Sequence, residues 1–218
     1  MTFNINAQTV IVFDLDDTLY KEINYLRSAY KEIAKYIDES KWQSLFSEMF
    51  ALYREGKNVF DHLLTYYNVN KEDLLHMYRN HIPEIFLEKQ TVALLDQIAA
   101  SGAKLTVLTD GRSTTQRAKI KKLGLEKWMN VFFISEEIGS EKPNEKNFKA
   151  VENHFNLQNY FYIADNLKKD FVTPNKLGWV TIALIDDGLN IHTDSASHRI
   201  KEYKPKYSIF QLDELLKN

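Results

Sequence analysis

Residues 10–22 read VIVFDLDDTLYKE and set Asp14, Asp16 and Asp17 directly behind an apolar run. On a backbone that stays extended, side chains two residues apart share a side. Asp14 and Asp16 are therefore placed to address one substrate, one as nucleophile and the other as proton donor, while Asp17 points elsewhere. Such crowding is costly. Two unit charges ~4 Å apart repel by about 4 kcal/mol at an effective dielectric near 20. Asp165 and Asp170 extend the acidic set and Lys142 supplies a positive charge. A divalent cation relieves the remaining repulsion, and carboxylates without a His or Cys cluster favour Mg²⁺ over zinc or copper.

These side chains need a frame to bring them together. Five short runs are nearly continuous in apolar residues: TVIVF (9–13), KLTVLT (104–109), VFFI (131–134), YFYIA (160–164) and VTIALI (180–185). Such runs mark strands buried on both faces of a parallel sheet. Helical patterns lie between the later four. TVALLDQIAASG closes on Gly102, STTQRAKIKKLG opens on a Ser/Thr cap and closes on Gly124, and PNEKNFKAVENHF begins at Pro143. Residues 207–209 add a short edge strand, and QLDELLKN reads as a terminal helix. Strands alternating with helices predict a doubly wound, Rossmann-like α/β sheet.

The stretch after the first strand breaks this rhythm. Tyr25, Ala29, Tyr30, Ile33 and Ile37 recur at helical spacing, as do Trp42, Leu45, Phe46, Met49 and Tyr53. A third helix is expected near 58–67, and a fourth follows an Asn70 cap. The organisation read from this is an α/β core of residues 1–20 and 88–218 with a helical domain, 21–87, inserted after the first strand. The aromatic residues of the insert at helical spacing are read as its own core.

In an open parallel sheet, ligands bind beyond the carboxyl ends of the strands. The polar residues collect there. The first strand runs into Asp14-Leu15-Asp16-Asp17-Thr18, the second into Thr109-Asp110-Gly111, Lys142-Pro143 follows the third, and the fourth ends at Asp165 with Asp170 five residues on.

Composition narrows the field further. The 218 residues are 44% hydrophobic and 13% aromatic, enough for a substantial core. A net charge of −2 recommends neither nucleic acid nor an anionic membrane as partner. The absence of cysteine excludes disulfides, thiolate catalysis and zinc-thiolate sites. MTFNINAQTV lacks a secretory pattern and no apolar run approaches the roughly 18 residues of a membrane span, so a cytoplasmic protein, monomeric or weakly dimeric, is expected. The charges of RAKIKKLG (117–124) are read as the solvent side of a helix, and the six histidines show no metal-ligand spacing. Walker, G-x-G-x-x-G and G-x-S-x-G patterns are absent.

DLDDTL, the LTDG of 108–111, the EKP of 141–143 and the ADNLKKD of 164–170 resemble, in order, the four motifs of the haloacid dehalogenase-like superfamily. The likeness covers about residues 10 to 185, and the helical insert resembles the family's C1-type cap. The resemblance implies a Mg²⁺-dependent phosphatase acting on a small phosphorylated metabolite through an aspartyl-phosphate. It implies that Asp14 attacks phosphorus and that Asp16 protonates the leaving alcohol and then activates water. Thr109, Asp110 and the adjoining backbone N–H groups, with Lys142, take the phosphoryl group. Mg²⁺ falls to Asp14, the backbone carbonyl of Asp16, and Asp165, with Asp170 ordering metal-bound water or pairing with Lys142. Arg112 is a supporting candidate that reaches phosphate or substrate. Where the family's fourth motif has Gly before its first Asp, this chain has Ala164. DDTLY and TDGRS…Q look closer to nucleotidase and sugar-phosphate members than to phosphoserine members. A phosphomutase with the same acids and a non-catalytic binding protein on the same fold are the alternatives. A 2-haloacid dehalogenase is disfavoured by Asp16, and a response-regulator receiver by the order of the motifs.

Overall fold

A computed structural model describes residues 3–216; Met1, Thr2, Lys217 and Asn218, the extremes of the two terminal stretches, lie outside the described residues. The chain begins with β1 (Thr9–Phe13), followed by α1 (Glu22–Ile37), α2 (Trp42–Arg54), α3 (Val59–Tyr66) and α4 (Lys71–Asn80). After α5 (Lys89–Ala100) strands and helices alternate. They are β2 (Lys104–Thr109), α6 (Ser113–Leu123), β3 (Phe132–Ile134), the short α7 (Ser135–Ile138), α8 (Glu145–Phe155) and β4 (Asn159–Ala164). Next come α9 (Val172–Lys176), β5 (Val180–Leu184) and β6 (Tyr207–Ile209).

The six strands form one sheet in the order β3-β2-β1-β4-β5-β6, and every neighbouring pair is parallel. This is the doubly wound arrangement, in which the winding direction reverses between β1 and β4 and opens a crevice beyond their carboxyl ends. β1 is central, and all five of its residues are buried. Val10 and Val12 pack with Leu108, Phe148, Tyr162 and Trp179 in one core cluster. A strand flanked by parallel neighbours and covered on both faces has no use for polar alternation, which is why TVIVF is continuously apolar after Thr9.

Three details differ from the sequence reading. α6 starts at Ser113, but Ser113 is not its cap: the N-cap is Arg112, whose side chain makes no capping bond. The Ser113 N–H and hydroxyl instead donate to Glu136 and Glu137. α8 starts at Glu145 rather than Pro143, because Asn144 accepts from the Lys146 N–H at 2.9 Å and so satisfies the first turn. Within QLDELLKN the described residues form a 3₁₀ turn, Leu212–Leu215, rather than an α-helix, and Lys217 and Asn218 lie outside the described residues.

The chain divides into two compact units, one made of the residues up to Glu22 with those from Phe86 onward, the other of Ile23–Ile85. The second is wholly helical. Tyr25, Ala29, Tyr30 and Ile33 of α1 are buried, as are Leu45, Met49, Leu63 and Leu74 of the helices that follow. Asn58 and Asn70 cap α3 and α4, Asn70 by accepting from the Asp73 N–H at 2.8 Å. Its aromatics are not all core, since Tyr36 and Tyr66 are exposed. Among the described residues, no helix is long and apolar enough to cross a membrane.

Candidate active site

The sheet ladder carries β1 as far as Asp14, whose N–H donates to the Ile163 carbonyl of β4 at 2.9 Å. The backbone then leaves the extended form. The Leu19 N–H returns to the Leu15 carbonyl at 3.0 Å, and Asp17 adopts φ 54°. This left-handed conformation is one that Asp tolerates better than most side chains. Asp17 accepts from the Glu22 N–H at the start of α1 and from the Ile191 N–H, both at 2.8 Å. It therefore clamps two chain segments. The turn, not an extended strand, brings Asp14 and Asp16 to the edge of one small pocket.

Asp14 sits on a buried ion network. Lys142 Nζ lies 3.0 Å from Asp14 and 2.8 Å from Asp170, and donates to the Tyr162 hydroxyl at 2.9 Å. The Tyr162 hydroxyl donates in turn to Asp170 at 3.0 Å. Burial works against the Lys142 charge, but Asp14 and Asp170 outweigh it and hold the ammonium well above its ordinary range. The Asp14 carboxyl is pushed up to about 6, chiefly by burial, with Lys142 pulling it down and Asp170 pushing it up. Asp165, across the crevice at the end of β4, is pushed up to about 8 by burial and by its neighbours Asp14, Asp170 and Asp17. Its oxygens accept from Thr18 at 3.5 Å and Asn190 at 3.0 Å.

Asp110 braces the floor. It accepts from the Lys142 N–H and from Lys169 Nζ, each at 3.0 Å. The pocket holds about 100 Å³, and its walls include Asp14, Asp16, Thr109, Asp165, Lys169 and His192. That is well below the ~300–1,000 Å³ of sites that enclose a whole small molecule. A second cavity of about 1110 Å³, beyond β5, shares Asp165, Asn166 and His192 with it. Lys142 lies behind Asp14, and Lys169 is the ammonium on the pocket wall.

Asp16 has a different set of partners. Its carboxylate accepts from Lys119 Nζ at 2.7 Å, from Gln116 Nε2 at 2.9 Å and from the Tyr20 hydroxyl. Burial pushes this group up, but the charge and hydrogen bonds of Lys119, with those of Tyr20 and Gln116, outweigh it and hold Asp16 below its ordinary value. Glu22, 4.0 Å from Lys119, is pushed up to about 8 by burial and by Asp16. Thr109 is buried at the end of β2 and accepts from Gln116 Nε2 at 2.7 Å. Arg112 is not brought to the site: it is exposed, and its carbonyl accepts from the Gln116 N–H.

A profile of the haloacid dehalogenase-like hydrolases matches residues 11–184. The chain belongs to that family. It is 27% identical over 202 residues to the glyceraldehyde 3-phosphate phosphatase of Methanocaldococcus jannaschii, covering 80% of this chain and 84% of that protein. Over 128 residues it is 30% identical to the pyrimidine 5′-nucleotidase YjjG of Escherichia coli, 57% of this chain and 54% of that one. The crystal structure of a HAD phosphatase from Thermococcus onnurineus superposes with a TM-score of 0.62 over 95% of both chains at 19% identity, a likeness of fold.

The acids of this haloacid dehalogenase-like hydrolase suit a hard cation. Asp14, Asp165 and Asp170 bring oxygens within 4.8 Å of one another. The donors are all carboxylate oxygens, which match Mg²⁺ or Ca²⁺ rather than a softer metal. The upward displacement of Asp165 to about 8 reflects burial first, and then the like charges of Asp14, Asp170 and Asp17, which Lys142 does not offset. Asp170 is fully buried, its Oδ1 taken by Lys142 and the Tyr162 hydroxyl and its Oδ2 by the Asn166 N–H, whereas Asp14 and Asp165 line the pocket where an ion would sit.

Several site residues escaped the sequence reading. Lys119, read as part of a solvent-facing run, is 3% exposed and paired with Asp16. Gln116, Tyr20, Lys169 and Asn190 also belong to the site. One signal was available: Gln116, Lys119, Ile120 and Leu123 follow the i, i+3, i+4, i+7 spacing of a buried helix face, and all four are buried.

Proposed function

We propose that this chain is a Mg²⁺-dependent phosphatase that hydrolyses a small phosphomonoester, a sugar phosphate or a nucleotide, through an aspartyl-phosphate on Asp14. The observation that carries this reading is the Asp14 carboxylate at the switch point, 3.0 Å from a fully buried Lys142 ammonium and facing a pocket of phosphoryl size. The phosphatase names of the relatives support the reaction class.

In the first step an Asp14 oxygen attacks phosphorus and the phosphorus–ester oxygen bond breaks. The electron pair leaves with the alcohol oxygen, which takes a proton from Asp16, so the reactive form is the one that carries this proton against the pull of Lys119. In the second step water attacks the same phosphorus, gives a proton to Asp16, and the Asp14 oxygen leaves as a carboxylate. Positioned proton transfer of this kind contributes roughly 10²–10⁴-fold in rate. The Thr109 hydroxyl, the adjoining Asp110 N–H and Lys169 take the phosphoryl oxygens, while the Gly111 N–H is held by Ser135 Oγ at 2.9 Å. Lys142 keeps Asp14 ionised and aimed, and Asp110 fixes the lysine backbone that does so. Asp14, Asp165 and the Asp16 carbonyl would hold Mg²⁺, which supplies screening of the phosphoryl charge when bound. We take the helical unit Ile23–Ile85 as the cap that selects the organic part of the substrate.

The test is phosphate release from an aryl phosphate with Mg²⁺ and with EDTA, for the wild type and for Asp14→Asn. Metal-dependent turnover that vanishes in the variant, together with an acid-stable count of one phosphate per chain lost on hydroxylamine treatment, supports the proposal. Turnover that persists in Asp14→Asn sinks it.

A further inference from the structure

We propose that Gln116 and Lys119, one turn apart on α6, are positioning residues that fix the orientation of the Asp16 carboxylate for proton transfer and tie it to Thr109. This rests on the assignment of Asp16 as the acid and base of the phosphatase reaction.

The terminal torsion of an aspartate is soft and roughly two-fold, so an unheld carboxyl group samples many orientations. A general acid must lie within hydrogen-bond reach of one particular oxygen. At Asp16 the freedom is removed from two sides. Oδ1 accepts from Lys119 Nζ at 2.7 Å and from the Tyr20 hydroxyl, while Oδ2 accepts from Gln116 Nε2 at 2.9 Å. With Oδ1 filled by two donors, Oδ2 is the oxygen left to exchange a proton with substrate.

The same Gln116 amide nitrogen lies 2.7 Å from Thr109 Oγ1 and 3.2 Å from the Asp110 carbonyl. One side chain therefore sets the spacing between the phosphate-holding hydroxyl and the proton carrier. Two features show that the arrangement is built in. Lys119 is buried, its ammonium 6.0 Å from the Tyr20 ring centre and 4.0 Å from Glu22. Gly111, at φ 139°, leaves room for Gln116: a Cβ there would lie 3.2 Å from Gln116 Cγ. The lysine on α6 thus plays a part distinct from that of Lys142.

A structural pair and a positioning pair differ in how their loss depends on the leaving group. An alkyl phosphate needs the proton from Asp16 as its ester bond breaks, whereas 2,4-dinitrophenyl phosphate releases a stable phenolate without it. The experiment measures kcat and KM on glycerol 1-phosphate, and single-turnover dinitrophenolate release, in the wild type, Asp16→Asn, Lys119→Met, Lys119→Arg and Gln116→Leu. We expect Lys119→Met to lower kcat on the alkyl ester about 100-fold with KM nearly unchanged, and dinitrophenolate release less than about threefold. Lys119→Arg should recover about a tenth or more of the lost rate, and Gln116→Leu should show the same split at about tenfold. Equal losses on both esters, or no loss, overturn the positioning role. If Lys119→Met does not fold, Gln116→Leu decides, since it leaves the ion pair standing. If Asp16→Asn loses both esters equally, or the wild type hydrolyses neither, the assignment of Asp16 fails and the positioning role falls with it. If Asp16→Asn shows the split and the α6 variants do not, only the positioning role is lost.

Discussion

Asp14 and Asp16 stand two residues apart, each within 3.0 Å of a buried lysine, yet their carboxyl groups move in opposite directions. Asp14 rises to about 6 while Asp16 falls below its ordinary value. Burial raises both carboxyls, and the difference lies in what opposes it. At Asp14 the pull of Lys142 does not overcome burial, and Asp170, held by the same lysine, adds a like charge. Lys119 is joined by Gln116 and Tyr20, so Asp16 gains two further hydrogen bonds. A paired lysine alone does not set a carboxylate's character; burial and the other charges and donors around the acid decide it as well. One environment leaves a partly compensated acid facing the pocket, and the other holds its neighbour still.

The largest expected effect breaks the first member of the comparison. Asp14→Asn should lower metal-dependent turnover by roughly 10⁴-fold or more, as loss of a covalent nucleophile does. Steady-state phosphate release is the measurement, and the fold should survive because the substitution removes a charge without removing volume. Next, Lys142→Met removes a cation paired with two buried acids. Breaking a buried pair by deleting one partner costs about 3–5 kcal/mol, so a drop of that order in urea-unfolding stability is expected, together with lost activity. A stability change below about 1 kcal/mol would show that Asp14 and Asp170 find compensation elsewhere.

A subtler contrast lies in pH. The carboxyls of Asp14 and Asp165, at about 6 and about 8 in the fold, stand above their ordinary value of 3.8. The native state then holds protons that the unfolded chain has released, and stability falls as pH rises from about 4 through about 8. Metal-free protein in EDTA should therefore melt lower at pH 8 than at pH 5, and Asp165→Asn should flatten the trend. Mg²⁺ should offset the fall, since it binds the deprotonated acids. The smallest effect is expected at Arg112. Exposed, with its backbone carbonyl accepting from the Gln116 N–H, it should tolerate Ala within about 0.5 kcal/mol of stability and about twofold in kcat.

The motifs were legible because chemistry-bearing side chains sit where strands end, and strand ends are readable from apolar runs such as TVIVF and YFYIA. The sheet followed from the same runs, and the helices Glu22–Ile37 and Lys71–Asn80 from spacing and an Asn cap. What was not legible depended on packing. Lys119 looks like a solvent residue in sequence, and only the burial of its helix face reveals that it turns inward toward an acid. Lys169 lies beside Asp170 in the chain, yet one faces the pocket and the other is sealed beneath it. The 186–192 segment has no strand or helix to announce it, although Asn190 and Ile191 reach back to Asp165 and Asp17.

The hydrogen bond from the Asp14 N–H to the Ile163 carbonyl extends the central β1–β4 ladder by one residue. Amides in such a ladder exchange with solvent only when the whole domain opens, whereas those of surface segments exchange through local fluctuations. In deuterium oxide the Asp14 amide should thus be among the last to lose its hydrogen, long after those of residues 192–200. The attacking residue is carried by the part of the molecule that opens least often, so transient loosening of the surrounding loops leaves its backbone where it was.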